Sequence, residues 1–237
     1  MATLTEHLLE IDGRRVPVRL RRNRRARRLI LRPDANRADG EVGVVVTLPN
    51  GVAIAEALNW AGTQSAWISR HLNKLPDRVP FADGAVIPFQ GIDHVIRHQP
   101  TARRGVWSAG GIIYVSGRLE HMPRRLTDWL KLQARSRITD LVTEKTTELQ
   151  LSFGRITLRD TKSRWGSCAA NGNLNFSWRL ILAPEFVFDY VIAHEVAHLR
   201  EHNHGPAFWQ LVENLTPEMQ RARAWLNSYG PGLHRFG

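Results

Sequence analysis

Between residues 14 and 32 arginines alternate with Val16, Val18 and Leu20 and then precede Leu29, Ile30 and Leu31. A period of two predicts strands with an arginine-coated face. EVGVVVTLPNG, residues 41–51, predicts another strand, stopped by Pro49 and Asn50-Gly51, and ANRADG before it, residues 35–40, predicts a hairpin loop. Ile54, Leu58, Ala61, Ile68 and Leu72 then follow near-helical spacing, so one helix is expected on this sheet, ended by Pro76. From 79 to 116 Gly and Pro punctuate the short apolar runs AVIPF, HVIRH and GIIYVSG, which predict the hairpins of a small β lobe. The period changes again at Leu126, Leu130, Ala134, Ile138 and Leu141, whose steps of three and four predict a long helix. RITLRDTKSRWGSC and NLNFSWRLIL flank AANG, where Asn171-Gly172 predicts a hairpin turn with positive φ at both central positions. A last strongly helical pattern starts at Pro184 and Glu185 and continues through Phe186, Tyr190, Ala193 and Ala197. The fold class is therefore α+β: a β-rich amino-terminal lobe with one helix, residues 1–118, and a largely helical lobe, residues 119–237. No internal repeat is visible, and no composition shift is sharp enough to force two independent domains.

Composition narrows the class. With 237 residues, 43% of them hydrophobic, and eight Trp and eight Phe, the chain can bury a substantial core and does not resemble a disordered protein. No stretch approaches the roughly 18 uncharged apolar residues of a membrane span, and the opening MATLTEHLLEIDGRRVPVRL lacks a signal-like apolar run, so no membrane partner and a cytoplasmic location are expected. The single cysteine, Cys168, can form no internal disulfide. Lys and Arg outnumber Asp and Glu 33 to 22, a formal charge of +11 that attracts polyanions. Arg21, Arg22, Arg24 and Arg25 are the candidate nucleic-acid contacts, against the plainer reading of a solvated sheet face.

The candidate chemistry lies in VIAHEVAHLREHNHGPAFW, residues 191–209. His194 and His198 are four apart, which on a helix places both imidazoles on one face, one turn apart, within reach of one metal ion. Glu195 projects beside them and can accept a proton from a water at the metal without ligating it. Val191, Ile192, Val196 and Leu199 make the helix apolar around the motif, where idle polar groups would be costly. A catalytic zinc needs a third protein ligand, and His202, His204 and Glu213 are the candidates. His202 lies about 12 Å along the axis from His194, too far to share one ion. His204 qualifies if the helix ends first, for which Asn203, tolerant of left-handed backbone, and Gly205-Pro206 are suited. Glu213, in AFWQLVENL, stays open as an alternative.

SRWGSC, NGNLNFSWRL, VIAHEVAHL and NHGPAFW, in this order and at these spacings, resemble the YgjP-like metallopeptidase family, a relative of the SprT-like and minigluzincin-type zinc peptidases, and RRNRRARRLILR is similar to that family's amino-terminal segment. The resemblance implies a zincin-like catalytic lobe, Zn(2+) bound by His194, His198 and His204, Glu195 as general base, and a polypeptide substrate. The interval to the third histidine also equals that of metzincins, but Glu201 stands where those proteins place a glycine, which argues against that class. Two alternatives remain: a DNA-associated, SprT-like protease recruited by its basic face, and a non-catalytic zinc-containing nucleic-acid-binding module, against which Glu195 speaks because a structural site has no use for it. NLNFSWRL is a plausible sheet edge for an extended peptide, Trp165 and Trp178 are expected in the core, and His202, Arg164, Tyr190 and Tyr229 are equal candidates for stabilising an oxyanion.

Overall fold

The structure, a computed structural model, describes residues 4–34, 42–72 and 77–237. The predicted loop ANRADG and the helix-ending Pro76 lie outside the described residues. The chain forms two compact units, Met1–Arg78 and Val79–Gly237.

In the first unit, strands β1 (Leu4–Ile11), β2 (Arg14–Arg22), β3 (Ile30–Asp34) and β4 (Gly43–Leu48) form one sheet in the order β1-β2-β4-β3. The alternation seen in the sequence is realised: Val16, Val18 and Leu20 are buried with Val44, Val46 and Leu48, while Arg15 and Arg21 are exposed on the other face. The single expected helix is two, α1 (Ile54–Thr63) and α2 (Ser65–Leu72), because Gln64 between them leaves helical geometry. Ala57, Ala61 and Ile68 still face one core, so the apolar period survives the break.

The second unit opens with β5 (Val86–Phe89), β6 (Ile92–Gln99), β7 (Val106–Ala109) and β8 (Ile112–Ser116), in the order β5-β6-β8-β7. This is the strand order of the first sheet, with antiparallel outer pairs around a parallel central pair in both. The sequence shows no repeat, yet the two sheets repeat one topology. The expected seam at 118–119 differs from the observed one at 78–79. The reason is packing: Ile87, Ile96, Ile113 and Val115 share a continuous core with Leu126, Leu130, Ala134 and Ile138 of the long helix α3 (Met122–Glu148).

Strands β9 (Ile156–Arg159), β10 (Gly166–Cys168) and β11 (Leu174–Ser177) form a small sheet in the order β10-β11-β9. NLNFSWRL therefore contributes the central strand, with Leu174, Phe176 and Ser177 buried, and the expectation that it offers a free edge is corrected: the edge strands are β10 and β9, of which β10 lies beside Glu195. The turn before β11 also differs from expectation, since Gly172 has φ +75° while Asn171 is not among the residues of positive φ. With Ala169 N–H donating to Asn173 O and Gly172 N–H to Ala169 O, the connection is a three-residue loop closed by a glycine bulge.

Helix α4 (Glu185–Ala197) follows and is buried nearly all round, from Val187 and Phe188 to Val196 and Ala197, because apolar residues occupy most of its faces. Its start is fixed by the β5–β6 turn, where Gln90 N–H donates to Ile181 O at 2.8 Å. Its middle is fixed by Lys145, whose buried Nζ meets Asp189 at 2.7 Å and Leu215 O at 2.9 Å, joining α3 and α4 to the end of α5 (Pro206–Leu215). Helix α6 (Met219–Tyr229) and a short 3₁₀ turn (Gly230–Arg235) complete the unit. Among the described residues no helix is long and apolar enough to cross a membrane.

Candidate metal centre and its surroundings

Helix α4 places His194 and His198 one turn apart, with ring centroids separated by 5.0 Å. Regular helix ends at Ala197, and the N–H groups of Arg200 and Glu201 both donate to Ala197 O in a closing turn. The chain then reverses. It does so without a left-handed residue at Asn203, contrary to expectation; Gly205 N–H donates to Asn203 O at 2.8 Å, and extended Gly205 leads into α5. The reversal carries His204 back to the other two, with centroids 5.1 Å from His194 and 4.8 Å from His198. One ligand atom from each of the three lies within 4.8 Å of the others, and these three residues could hold a metal ion. His202 and Glu213 are outside this group, and both are exposed.

The proton positions suit ligation. His198 Nδ1 lies 3.0 Å from Glu201 O, a contact that commits this nitrogen to donating and leaves Nε2 with its lone pair. His194 Nε2 and His204 Nε2 approach to 3.2 Å, two ring nitrogens sharing space that one proton or one cation must occupy. Burial lowers the pKa of His194 to about 4, with the neighbouring His198 and His204 adding to the effect. Burial also lowers that of His198, against the opposing pull of Glu201 O. Neutral imidazoles are the form that binds metals.

Two features unread in the sequence complete the site. Phe208, fully buried on α5, lies under all three imidazoles, at 4.9, 4.5 and 4.7 Å between centroids, and stacks on His198. Trp209 stacks on His204 at 5.5 Å and is covered in turn by the guanidinium of Arg223, 4.6 Å from its ring. The GPAFW segment therefore supplies both the reversal and the floor against which the rings are held. The second feature is Gly166 on β10. A Cβ there would stand 2.5 Å from both Cγ and Oε1 of Glu195, so only glycine leaves room for that side chain. Glu195 is buried in this niche, where the backbone N–H of Cys168 hydrogen-bonds it. Burial raises its pKa to about 7, with Cys168 N–H and the charge of Arg164 pulling the other way.

A cavity of about 250 Å³ opens onto His194 and Glu195 and is lined also by Arg164, Trp165, Gly166, Tyr190, Val191 and Leu226. Of the four oxyanion candidates, Arg164 and Tyr190 line it; His202 and Tyr229 do not. Trp178 is core as expected, whereas Trp165 is half-buried and forms a cavity wall. Cys168 is a free, half-buried thiol outside the histidine group, and burial raises its pKa. In the other unit Arg21, Arg22, Arg24 and Arg25 are all exposed, but Arg22 is already committed, donating to the carbonyls of Pro49, Asn50 and Val52.

A family model described as YgjP-like, metallopeptidase domain, matches residues 27–229. Among solved structures, the metallopeptidase zymogen of Pyrococcus abyssi abylysin is similar at 21% identity and a TM-score of 0.34, over 38% of this chain and 94% of that one. The metallopeptidase zymogen of Methanocaldococcus jannaschii jannalysin is similar at 22% identity and a TM-score of 0.35, over 38% of this chain and 93% of that one. No curated protein matches.

Proposed function

The chain belongs to the YgjP-like metallopeptidase family, and we propose that it hydrolyses peptide bonds with zinc held by His194, His198 and His204 and with Glu195 as general base. The observation that carries this reading is the convergence of three imidazole ligand atoms within 4.8 Å, next to a carboxylate seated in the Gly166 niche. The donor set fits the metal: two nitrogens bound tetrahedrally at 2.0–2.1 Å lie about 3.3 Å apart, close to the 3.2 Å between His194 Nε2 and His204 Nε2. Bound zinc would polarise the scissile carbonyl and acidify a water.

The chain's own residues do the rest. Glu195, oriented by Cys168 N–H, takes a proton from the attacking water as its oxygen bonds to the carbonyl carbon, and returns a proton to the leaving nitrogen as the C–N bond breaks. The polypeptide lies extended along β10, an edge strand beside the cavity, so that main-chain hydrogen bonds set its register. Metal analysis of the purified protein, together with digestion of an unbiased peptide library, tests the reading. A metal-free protein that cleaves as well as the zinc-loaded one would overturn it.

Gly166→Ala gives a sharper test of the niche. The added methyl must displace the Glu195 carboxylate, and a misplacement of about 1 Å is expected to lower kcat/KM by about 10²-fold while the histidines keep their metal. Measuring turnover and zinc content on the same preparation checks this; unaltered turnover would show that Glu195 does not depend on the niche.

One observation favours a second role, for the amino-terminal unit. Arg21, Arg24, Arg25, Arg27 and Arg28 are exposed around the end of β2 and the turn after it, an arrangement suited to a phosphate backbone. Binding to duplex DNA at about 50 mM salt is expected to weaken with a log-log slope of roughly −0.9 per phosphate contact, and Gln at Arg21, Arg24 and Arg25 should flatten that slope by up to a few units. Absence of binding at that salt would reduce this face to solubility.

A further inference from the structure

A second cavity, of about 210 Å³, lies against β10 and shares Arg164, Trp165 and Gly166 with the one that opens on Glu195. Its polar lining is Arg159, Thr161, Arg164, Ser167 and Asn175. Strand alternation decides which side of the sheet this is. Gly166 faces Glu195 on α4, so its neighbour Ser167 faces the opposite side, with its cross-strand partner Asn175, whose Nδ2 lies 3.3 Å from Ser167 Oγ. A peptide extended along β10 sends alternate side chains to the two faces. One set meets the metal-centre cavity and the other meets this polar one.

Two guanidinium groups border the polar cavity. No salt bridge among the described residues ties up either Arg159 or Arg164, and both are exposed. The carboxylate nearest in sequence, Asp160, is turned away, paired with the buried Arg179 at 2.7 Å through Nε and 3.2 Å through Nη2. The segment that carries the arginines is itself tied down, by that ion pair and by the Thr161 hydroxyl, which donates to Arg164 O at 2.9 Å. The cavity thus combines two exposed guanidinium groups on a fixed segment, one of which also acts on Glu195, with the Ser167 hydroxyl and the Asn175 amide, whose remaining N–H and O–H can complete hydrogen bonds to an anion.

We propose that this cavity is a specificity subsite for an acidic substrate side chain: Arg159 and Arg164 receive the carboxylate of an Asp or Glu that points to the outer face of the sheet when the substrate pairs with β10. The inference rests on the peptidase reading above and adds to it a class of preferred sequence.

The experiment uses the full-length, zinc-loaded protein and peptides blocked at both ends, which differ only in one residue, Glu, Gln or Lys, scanned along the positions flanking the cleaved bond. At one outward-facing position Glu is expected to exceed Gln by about tenfold in kcat/KM and Lys to fall below Gln, a gap that narrows as salt rises. In R159Q/R164Q the Glu-to-Gln ratio should fall towards one, and in R159E/R164E the order should reverse in favour of Lys. The same peptides, fluorescently labelled, are also titrated against Glu195→Gln protein by anisotropy. Equal kcat/KM and equal binding for Glu and Gln peptides at every position would overturn the subsite, as would a preference that survives R159Q/R164Q. A preference seen only with unblocked peptides would assign the arginines to a chain-end carboxylate and overturn the side-chain proposal. If no peptide is cleaved yet Glu peptides bind more tightly through the two arginines, the subsite stands and the peptidase reading is what fails.

Discussion

Glu195→Gln is expected to leave a folded protein with its full complement of zinc and to lower turnover by at least about 10²- to 10⁴-fold, the range supplied by a positioned general base. The substitution is nearly isosteric, so the Gly166 niche is still filled and Cys168 N–H still finds an oxygen. What disappears is the ability to accept a proton. Glu195 makes no contribution to the ligand set of three histidines, so metal content should not follow activity down. Thermal stability should be equal or higher, because burial disfavours the charged carboxylate and the amide carries no charge to desolvate. Peptide turnover, zinc content and Tm measured side by side give the answer, and turnover equal to that of the parent would remove Glu195 from the mechanism.

His204→Ala is expected to weaken zinc binding as severely as His194→Ala or His198→Ala, by more than about 10²-fold, since it removes a ligand rather than an outer partner worth 10- to 100-fold. His202→Ala and Glu213→Ala should change affinity little. The distinction is geometric: His204 Nε2 lies 3.2 Å from His194 Nε2, while His202 and Glu213 are exposed outside the cluster. Competition titration with a metal chelator ranks the four variants. Loss of metal in Glu213→Ala but not in His204→Ala would replace the three-histidine site with a two-histidine, one-glutamate one.

The parts of this protein legible in the sequence are those set by interactions between near neighbours along the chain. Periods of two and of three to four report which side of a strand or helix leaves water, so the sequence assigns Val16, Val18 and Leu20 on β2 and Leu126, Leu130, Ala134 and Ile138 on α3 to cores. The pairing of His194 with His198, and the place of Glu195 beside them, are equally local, because four residues make one helical turn. The α+β class and the family followed from such segments and their order. Gly166 against Glu195 and Phe208 beneath the imidazoles join segments that meet only after folding, and no periodicity records such a meeting. For the same reason strand order hid which strand is the edge: β10 and β11 read alike as strands, and only the parallel pairing of β11 with β9 moves β11 to the centre. Strand order also hid the shared topology of the two four-stranded sheets and the packing that joins the β5–β8 sheet to α3. The turn backbones at Asn171 and Asn203 depart from the sequence expectation because a residue that tolerates positive φ is not obliged to adopt it when neighbouring hydrogen bonds close the turn another way.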